Sequence, residues 1–163
     1  MKKQKKLDKR RRRECKTDYR KRLVLLKGNL PRLVIRKSAR YITLQIIQSS
    51  HAQDKVLYSV NTKDLLKNGW PAEKSGSLKN LSAAYLSGLL LGKRSLADGF
   101  KGKVILDSGL IPNTKGSKVY AAVKGFADSG IEIPFDEKVM FSEEQIAEKI
   151  GKEVFDKVKG GIK

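Results

Sequence analysis

Pro31-Arg32-Leu33-Val34-Ile35-Arg36-Lys37-Ser38-Ala39-Arg40-Tyr41-Ile42-Thr43-Leu44-Gln45-Ile46 is the stretch on which the fold turns. Leu33-Val34-Ile35 is a short apolar run with basic flanks. From Arg40 the pattern alternates. Ile42, Leu44 and Ile46 fall on one face and Tyr41, Thr43 and Gln45 on the other, the period of two that a strand with one buried face requires. Joined at Ser38-Ala39, the two runs predict a β-hairpin. Val56-Leu57-Tyr58-Ser59-Val60 predicts a third strand after a polar loop from Gln48 to Lys55.

Further along, the period lengthens. Leu81, Ala84, Tyr85, Gly88, Leu89 and Gly92 recur along one face of a helix. Glycine weakens a helix by about 1 kcal/mol relative to alanine, so Gly88 and Gly92 predict close backbone approach to a sheet. Val104-Ile105-Leu106 is apolar on both faces, as in a parallel strand covered by helices. Val119, Ala122, Val123 and Phe126 mark a second helix that Gly130 can end. Ile131-Glu132-Ile133, before Pro134, predicts a last short strand. Ser142 followed by Gln145 fits a capping box, with Glu143 and Glu144 suiting the positive helix end. Ile146, Ile150, Val154 and Val158 then line one face of a final helix. From Val139 onward five lysines balance five acidic residues, which suits a neutral accessory docked on the core or on a protein neighbour. The element order predicts an α/β fold with a mixed five-stranded sheet. Three segments follow: a basic arm (1–24), an α/β core (25–138) and a C-terminal helical tail (139–163).

At 163 residues the chain has the length of one domain with tails, and 39% hydrophobic residues supply a core. Lys+Arg 36 against Asp+Glu 17 leaves net charge +19, beyond what solubility requires, so the partner is expected to be a polyanion. No apolar run approaches the roughly 20 residues that span a bilayer. The first residues are charged from Lys2 onward and lack the apolar stretch of a secretory signal, so an intracellular protein is expected. Cys15 is the single cysteine; it can form neither an intramolecular disulfide nor, without Cys or His neighbours, a zinc site.

About half the charge excess lies in residues 1–22. Thirteen basic residues (Lys2, Lys3, Lys5, Lys6, Lys9, Lys16, Lys21, Arg10, Arg11, Arg12, Arg13, Arg20 and Arg22) face only Asp8, Glu14 and Asp18. Such a block repels itself and buries almost nothing, so it reads as an arm that orders only when phosphates neutralise it. A solvated tail or a localisation signal is the alternative. Other cations gather at the hairpin (Arg32, Arg36, Lys37, Arg40), after the first helix (Lys93, Arg94) and before the second (Lys115, Lys118), where a helix N-terminus can meet a phosphate. Tyr19 interrupts the arm with a ring able to stack on an unpaired base.

Catalytic patterns are scarce. The chain has no Walker-type loop, no G-x-G-x-x-G, no H-E-x-x-H and no G-x-S-x-G. His51 is the sole histidine, in a polar stretch without a positioned partner. A two-metal nuclease needs clustered carboxylates, but the first strand carries Arg32, Arg36 and Lys37 instead. Asp107 alone is placed to serve, and it reads better as a turn residue in Asp107-Ser108-Gly109.

Arg10-Arg11-Arg12-Arg13-Glu14, Lys16-Thr17-Asp18-Tyr19 and Pro31-Arg32-Leu33-Val34-Ile35-Arg36-Lys37-Ser38 resemble the archaeal and eukaryotic branch of the large-subunit ribosomal protein L-eighteen family. So do Gln45-Ile46-Ile47, Ala83-Ala84-Tyr85, Gly88-Leu89-Leu90-Leu91-Gly92-Lys93-Arg94, Leu106-Asp107-Ser108-Gly109-Leu110, Gly116, Val119, Lys124-Gly125 and Asp128-Ser129-Gly130. These segments run in family order across roughly positions 10–134. Cys15 stands where the family is expected to have glycine, and the C-terminal part is short for this branch.

The resemblance implies a ribonuclease H-like three-layer fold without its active site. It also implies a protein that binds 5S rRNA and helps attach it to the large-subunit (23S-type) rRNA in the central protuberance, beside ribosomal protein L-five and other central-protuberance proteins. The RNA-binding residues expected on the combined reading are Arg10, Arg11, Arg12, Arg13, Lys16, Thr17, Tyr19, Arg20, Lys21, Arg22, Arg36, Lys37, Ser38, Arg40, Tyr41, Lys93, Arg94, Lys115 and Lys118. No cofactor, metal, membrane or small-molecule substrate is expected. An architectural DNA-binding protein shares the charge pattern and stays open as the alternative, distinguished by little preference for 5S rRNA over duplex DNA. A nucleic-acid enzyme would show metal-dependent turnover.

Overall fold

The computed structural model describes residues 7–51, 53–112 and 114–162. Lys2, Lys3, Lys5 and Lys6 of the arm lie outside them. The hairpin forms where the alternation places it. Strand β1 (Arg32–Lys37) pairs antiparallel with β2 (Ile42–Ser50), Leu33 opposite Ile46 and Ile35 opposite Leu44. Ser38 makes the turn, its amide donating to the Tyr41 carbonyl at 2.9 Å and its hydroxyl accepting from the Tyr41 amide at 3.0 Å. Ile42, Leu44 and Ile46 are fully buried. Strand β3 (Gln53–Asn61) pairs with β2 out to Ser50 opposite Gln53, so the polar loop expected over 48–55 instead extends the two strands. Residues polar on both faces carry no period, and the sequence pattern is silent there. His51, at φ +49°, belongs to the turn between the two strands.

Strand β4 (Ile105–Asp107) lies parallel to β1, Leu33 beside Leu106, giving the order β3-β2-β1-β4. Among the described residues the sheet thus has four strands, not the five expected. Ile131 and Ile133 are buried, but their segment joins Val104 through one backbone bond, the Val104 amide to the Glu132 carbonyl at 2.9 Å, and forms no ladder. Pro134, lacking an N–H, cannot add a further rung.

The sequence patterns pass over two short 3-10 segments, Thr62–Asn68 and Ala72–Ser77, which carry the chain from β3 to helix α3 (Leu81–Ala97). Asn80 caps α3 by accepting from the Ala83 amide at 2.7 Å. Counting α1 (Arg10–Arg13) and α2 (Tyr19–Lys27) in the arm, the next helix is α4 (Lys118–Ala127). Val119, Ala122, Val123 and Phe126 are buried as expected. Helices α3 and α4 cover the face of the sheet bearing Leu33, Ile35, Ile42, Leu44 and Ile46. The close approach at the α3 glycines is to α4, not to the sheet. A Cβ on Gly88 would overlap the Ala122 carbonyl oxygen, one on Gly92 the Ser129 hydroxyl, and one on Gly125 the Tyr85 carbonyl oxygen. Periodicity marks which positions are buried, but not which neighbour buries them.

The expected final helix is two: α5 (Glu143–Glu148), with the Ser142/Gln145 capping box in place, and α6 (Lys152–Gly161). The break falls at Gly151, whose φ of +100° no helix accommodates. Ile146, Ile150, Phe155 and Val158 join the common core. Polar bonds hold the same contact: Ser82 Oγ donates to the Ile146 carbonyl, and Lys74 Nζ donates to the Ile150 carbonyl at 3.0 Å. The buried Tyr85 hydroxyl lies 2.7 Å from Asp128 and 3.0 Å from Glu143. Its one proton serves Asp128, the nearer, while Lys159 holds Glu143 at 3.2 Å. Burial and then the Asp128 carboxylate push the Tyr85 pKa well up. Glu143 is raised by burial, but the Lys159 ammonium outweighs that and holds it below its ordinary value.

The glycine contacts lead to opposite outcomes for one substitution. In α6 a Cβ at Gly160 meets nothing within 4 Å, so Gly160→Ala should raise stability by up to about 1 kcal/mol through helix propensity. Gly88→Ala should lower it by about 3 kcal/mol or more through overlap with a backbone that cannot yield. Urea midpoints of the two variants check the pair of signs.

Candidate nucleic-acid interface

The second face of the sheet carries the arm. Asp18 starts α2 by accepting from the amides of Arg20 (2.9 Å) and Lys21 (3.1 Å). Lys21 Nζ then reaches the Ser108 hydroxyl at 3.1 Å and the Gly109 carbonyl at 3.2 Å, just past β4. Arg22 donates to Asp54 Oδ2 of β3 at 2.8 Å. These contacts seat α2 on the face of Arg32, Val34 and Arg36, opposite α3 and α4.

Beneath it lies a buried ion cluster. Arg32 is 2% exposed. Its guanidinium donates to Asp107 Oδ2 at 2.6 Å, to Asp54 Oδ1 at 2.9 Å and to Ser49 at 3.0 Å. Burial raises the Asp54 pKa, but the Ser49 hydroxyl, Arg22 and Arg32 outweigh it and hold the carboxyl below its ordinary value. Asp107 Oδ1 also accepts from the Gly109 amide at 3.0 Å, the turn role expected of it. The structure therefore adds Asp54 to the carboxylate legible in the sequence; its place in a supposed loop had hidden it. Both acids are committed to a guanidinium. Among the described residues no three His, Cys, Asp or Glu side chains gather to hold a metal ion.

The described part of the arm is helical. Asp8–Arg12 at 3.5 Å and Arg10–Glu14 at 3.8 Å pair one turn apart and offset the repulsion within the Arg10–Arg13 run. Glu14 also meets Lys16 at 2.9 Å. Helix α1 ends in a Schellman motif: the Lys16 amide donates to the Arg11 carbonyl at 2.9 Å and the Cys15 amide to that of Arg12 at 3.0 Å. Cys15 takes the left-handed position of that motif, φ +50°, the conformation that glycine adopts without strain. Arg11 Nε donates to Thr17 at 2.8 Å, and Lys9 Nζ lies 4.7 Å from the centre of the Tyr19 ring, so one face of that ring already carries a cation.

Where the arm meets the sheet, a cleft of about 730 Å³ collects Arg11, Lys16, Thr17, Tyr19, Lys21, Arg22 and Arg36 of the expected set, and Arg12 and Arg20 line a smaller one beside it. Arg10 and Arg13 are exposed on α1. The other expected residues lie elsewhere. The Ser38 hydroxyl is spent on its own turn, and Tyr41 packs against the core. Lys37 and Arg40 are exposed at that turn. Lys93 Nζ donates to the Ile162 carbonyl at 2.7 Å, fastening the end of α6. Arg94 sits near Tyr58 and Asp98 at the β3 edge. Lys115 and Lys118 stand at the start of α4.

Comparison with known proteins settles the family. The model of "Ribosomal large subunit proteins 60S L5, and 50S L18" matches residues 3–101 and 98–136. This chain belongs to the uL18 family of large-subunit ribosomal proteins. The uL18 protein of Korarchaeum cryptofilum is 46% identical over 137 residues, covering 84% of this chain and 68% of its own length. That of Methanococcoides burtonii is 43% identical over 162 residues, 94% of this chain and 91% of its own. That of Methanococcus maripaludis is 44% identical over 137 residues, 84% and 68%. Membership of uL18 places the chain among non-enzymatic components of the cytoplasmic large subunit, in keeping with carboxylates neutralised by Arg32. No helix of the described residues is long and apolar enough to cross a membrane.

Two measurements follow. The stability contributed by Asp54, whose folded pKa is depressed, is fully present above the ordinary aspartate value of about 3.9 and is lost as pH falls through the lower folded value. The urea midpoint of the unaltered protein should therefore drop more steeply on acidification below about pH 4 than that of Asp54→Asn; parallel curves would remove Asp54 from the linkage. Cys15→Gly removes a left-handed strain of about 1 kcal/mol, so the Lys16 amide should exchange up to about fivefold more slowly.

Proposed function

We propose that this protein binds 5S rRNA and helps fasten it to the large-subunit rRNA in the central protuberance, beside ribosomal protein L-five. The observation that carries this reading is the convergence of arm and sheet cations on one cleft in a uL18 protein. The carboxylates in that cleft are already committed: Asp18 to the α2 cap, Asp54 to two arginines, Asp107 to Arg32 and its turn. Arg13, Arg20 and Arg36 make no ion pair among the described residues, so their charge is available to phosphate oxygens.

In this reading the arm (1–24) supplies phosphate contacts and the core (25–138) is the platform on which α2 orients it. The tail (139–163) braces the core. The sheet between α3 and α4 on one side and α2 on the other is a ribonuclease H-like layering, with Arg32 standing among the carboxylates where such enzymes hold metal. Arg40, exposed at the hairpin turn, extends the surface along that end of the sheet.

A competition gel shift on 5S rRNA, with excess transfer RNA and duplex DNA, tests the reading. Selective retention of 5S rRNA is expected; equal competition by duplex DNA would favour an architectural DNA-binding protein. Deleting residues 1–17 leaves Asp18 to cap α2 and keeps the Lys21 and Arg22 contacts, so cooperative melting should survive. If about six phosphate contacts are lost, the slope of log K against log salt should fall by about four to five units. An unchanged slope would separate the arm from binding.

A further inference from the structure

The two edges of the sheet are finished differently. Strand β4 is short, and the segment 131–133 lies along it, the Val104 amide donating outward to the Glu132 carbonyl at 2.9 Å. Strand β3 forms the other edge over Gln53–Asn61. Its last amide, that of Asn61, donates to Asp64 Oδ2 at 2.9 Å. From residue 53 to 60, among the described residues, no backbone group outside β2 pairs with the β3 main chain. Half the amides and carbonyls of a strand point away from a single partner, so this edge presents a row of open donors and acceptors.

The row is lightly guarded. It contains no proline, Asp54 is committed to Arg22 and Arg32, and Lys55 is the only other charge. Val56, Leu57 and Tyr58 stand at its centre, Val56 and Leu57 exposed. The register shift that leaves Leu57 without a partner on β2 adds twist but covers nothing. Beside the edge, on the α3 side, a cleft of about 330 Å³ is lined by Tyr58, Val60, Leu91 and Ala97 together with the charged Arg94 and Asp98. The Tyr58 ring is held by an edge-on contact with Phe100, centroids 6.1 Å apart. An apolar cleft next to an open main-chain row is how a sheet edge takes up an extended peptide: backbone bonds give affinity and the cleft selects a side chain.

We propose that β3 is a docking edge for an extended segment of a neighbouring protein, which adds a strand to the sheet, seats an apolar side chain in the Tyr58–Leu91 cleft and turns carboxylates toward Lys55 and Arg94. Charge decides the occupant. Lys55 and Arg94 are exposed and form no ion pair among the described residues, and Asp98, the one acid lining the cleft, forms none either. Two cations against one acid leave this edge positive. A second copy, itself at net charge +19, is repelled, whereas an acidic segment is attracted. A phosphate backbone answers the cations but neither the amide–carbonyl row nor the apolar residues along it. The inference stands apart from the RNA-binding reading, whose cleft lies on the other face of the sheet.

The test uses the full chain and a capped peptide of alternating valine and glutamate as long as β3, with amide hydrogen exchange of the protein as the readout. A control peptide of the same sequence is N-methylated at every amide, which forbids strand pairing but keeps charge and side chains. The unmethylated peptide should slow exchange of those 53–60 amides that β2 leaves unpaired. Methylation should weaken binding by about tenfold or more, since each lost backbone bond is worth a factor of about two to ten. The double reversal Lys55→Glu/Arg94→Glu should weaken the valine–glutamate peptide about fivefold and strengthen a valine–lysine peptide by a similar factor, a reciprocal change that loss of fold cannot produce. In assembled large subunits the same amides should exchange more slowly than in the free protein. Equal binding of the methylated and unmethylated peptides, or slowed exchange confined to the arm, overturns the docking edge. Protection of 53–60 that grows with protein concentration alone assigns the edge to a second copy, and protection by a labelled RNA hairpin assigns it to RNA; either overturns the proposal. Unchanged exchange in the assembled subunit overturns a neighbouring protein as the occupant.

Discussion

Arg32 is a cation placed where a small protein can least easily hold one, on a strand with neighbours on both sides. Its guanidinium reaches Asp107 on β4, across the β1–β4 pairing, and Asp54 and Ser49 near the far ends of β3 and β2. Burying such a charge costs several kcal/mol in lost hydration, and its Coulomb gain does little more than offset this, so the cluster is weak as a source of net stability. What it fixes is position. Asp54 Oδ1 is occupied by Arg32, and its other oxygen is turned to Arg22. The orientation of α2, and with it the entry of the basic arm onto the sheet, follows from a charge buried one layer below. Two guanidinium groups against two carboxylates make the cluster neutral, so it draws no further cation from the arm, where Arg13 and Arg20 make no ion pair among the described residues.

Where one face is apolar and the other polar, the period was enough to read the structure. Ile42, Leu44 and Ile46 pointed to the buried face of β2, and Val119, Ala122, Val123 and Phe126 to that of α4, because each alternation has a single burial solution. It was silent from Gln48 to Lys55, where the ladder continues through residues polar on both sides, and that silence concealed Asp54. It misassigned the neighbour of Gly88 and Gly92, since small residues announce close approach without naming what approaches. It also read two helices as one through Gly151, because Ile146, Ile150 and Val158 stay buried on either side of the break.

The candidate interface was legible as charge but not as geometry. A count of cations cannot distinguish Lys93, which fastens the Ile162 carbonyl, from Arg36, which lies open in a cleft; both are single basic residues in basic surroundings. Nor can it show that Ser38 is consumed by its own turn. The arm illustrates the converse. Its sequence reads as a self-repelling block, yet Asp8, Glu14 and Asp18 sit at the helical spacings and caps that let short helices form. Three acids among thirteen cations decide local structure because pairs one turn apart and N-cap bonds act over single residues, while net charge acts over the whole segment.

The distribution of the remaining charge then acquires a structural reason. The tail that packs into the common core is balanced: α5 and α6 place Glu143 against Lys159 and contribute Ile146, Phe155 and Val158. About half of the excess charge lies in residues 1–22, the arm that enters on the face of the sheet opposite α3. A domain of this size cannot add repulsion within its core and stay folded, since its net stability is only some 5–15 kcal/mol. It can carry that repulsion at its margins, where water screens it in the free protein and a polyanion removes it on binding. The cost of the charge to the fold is thereby kept small, and its release is reserved for the encounter with RNA.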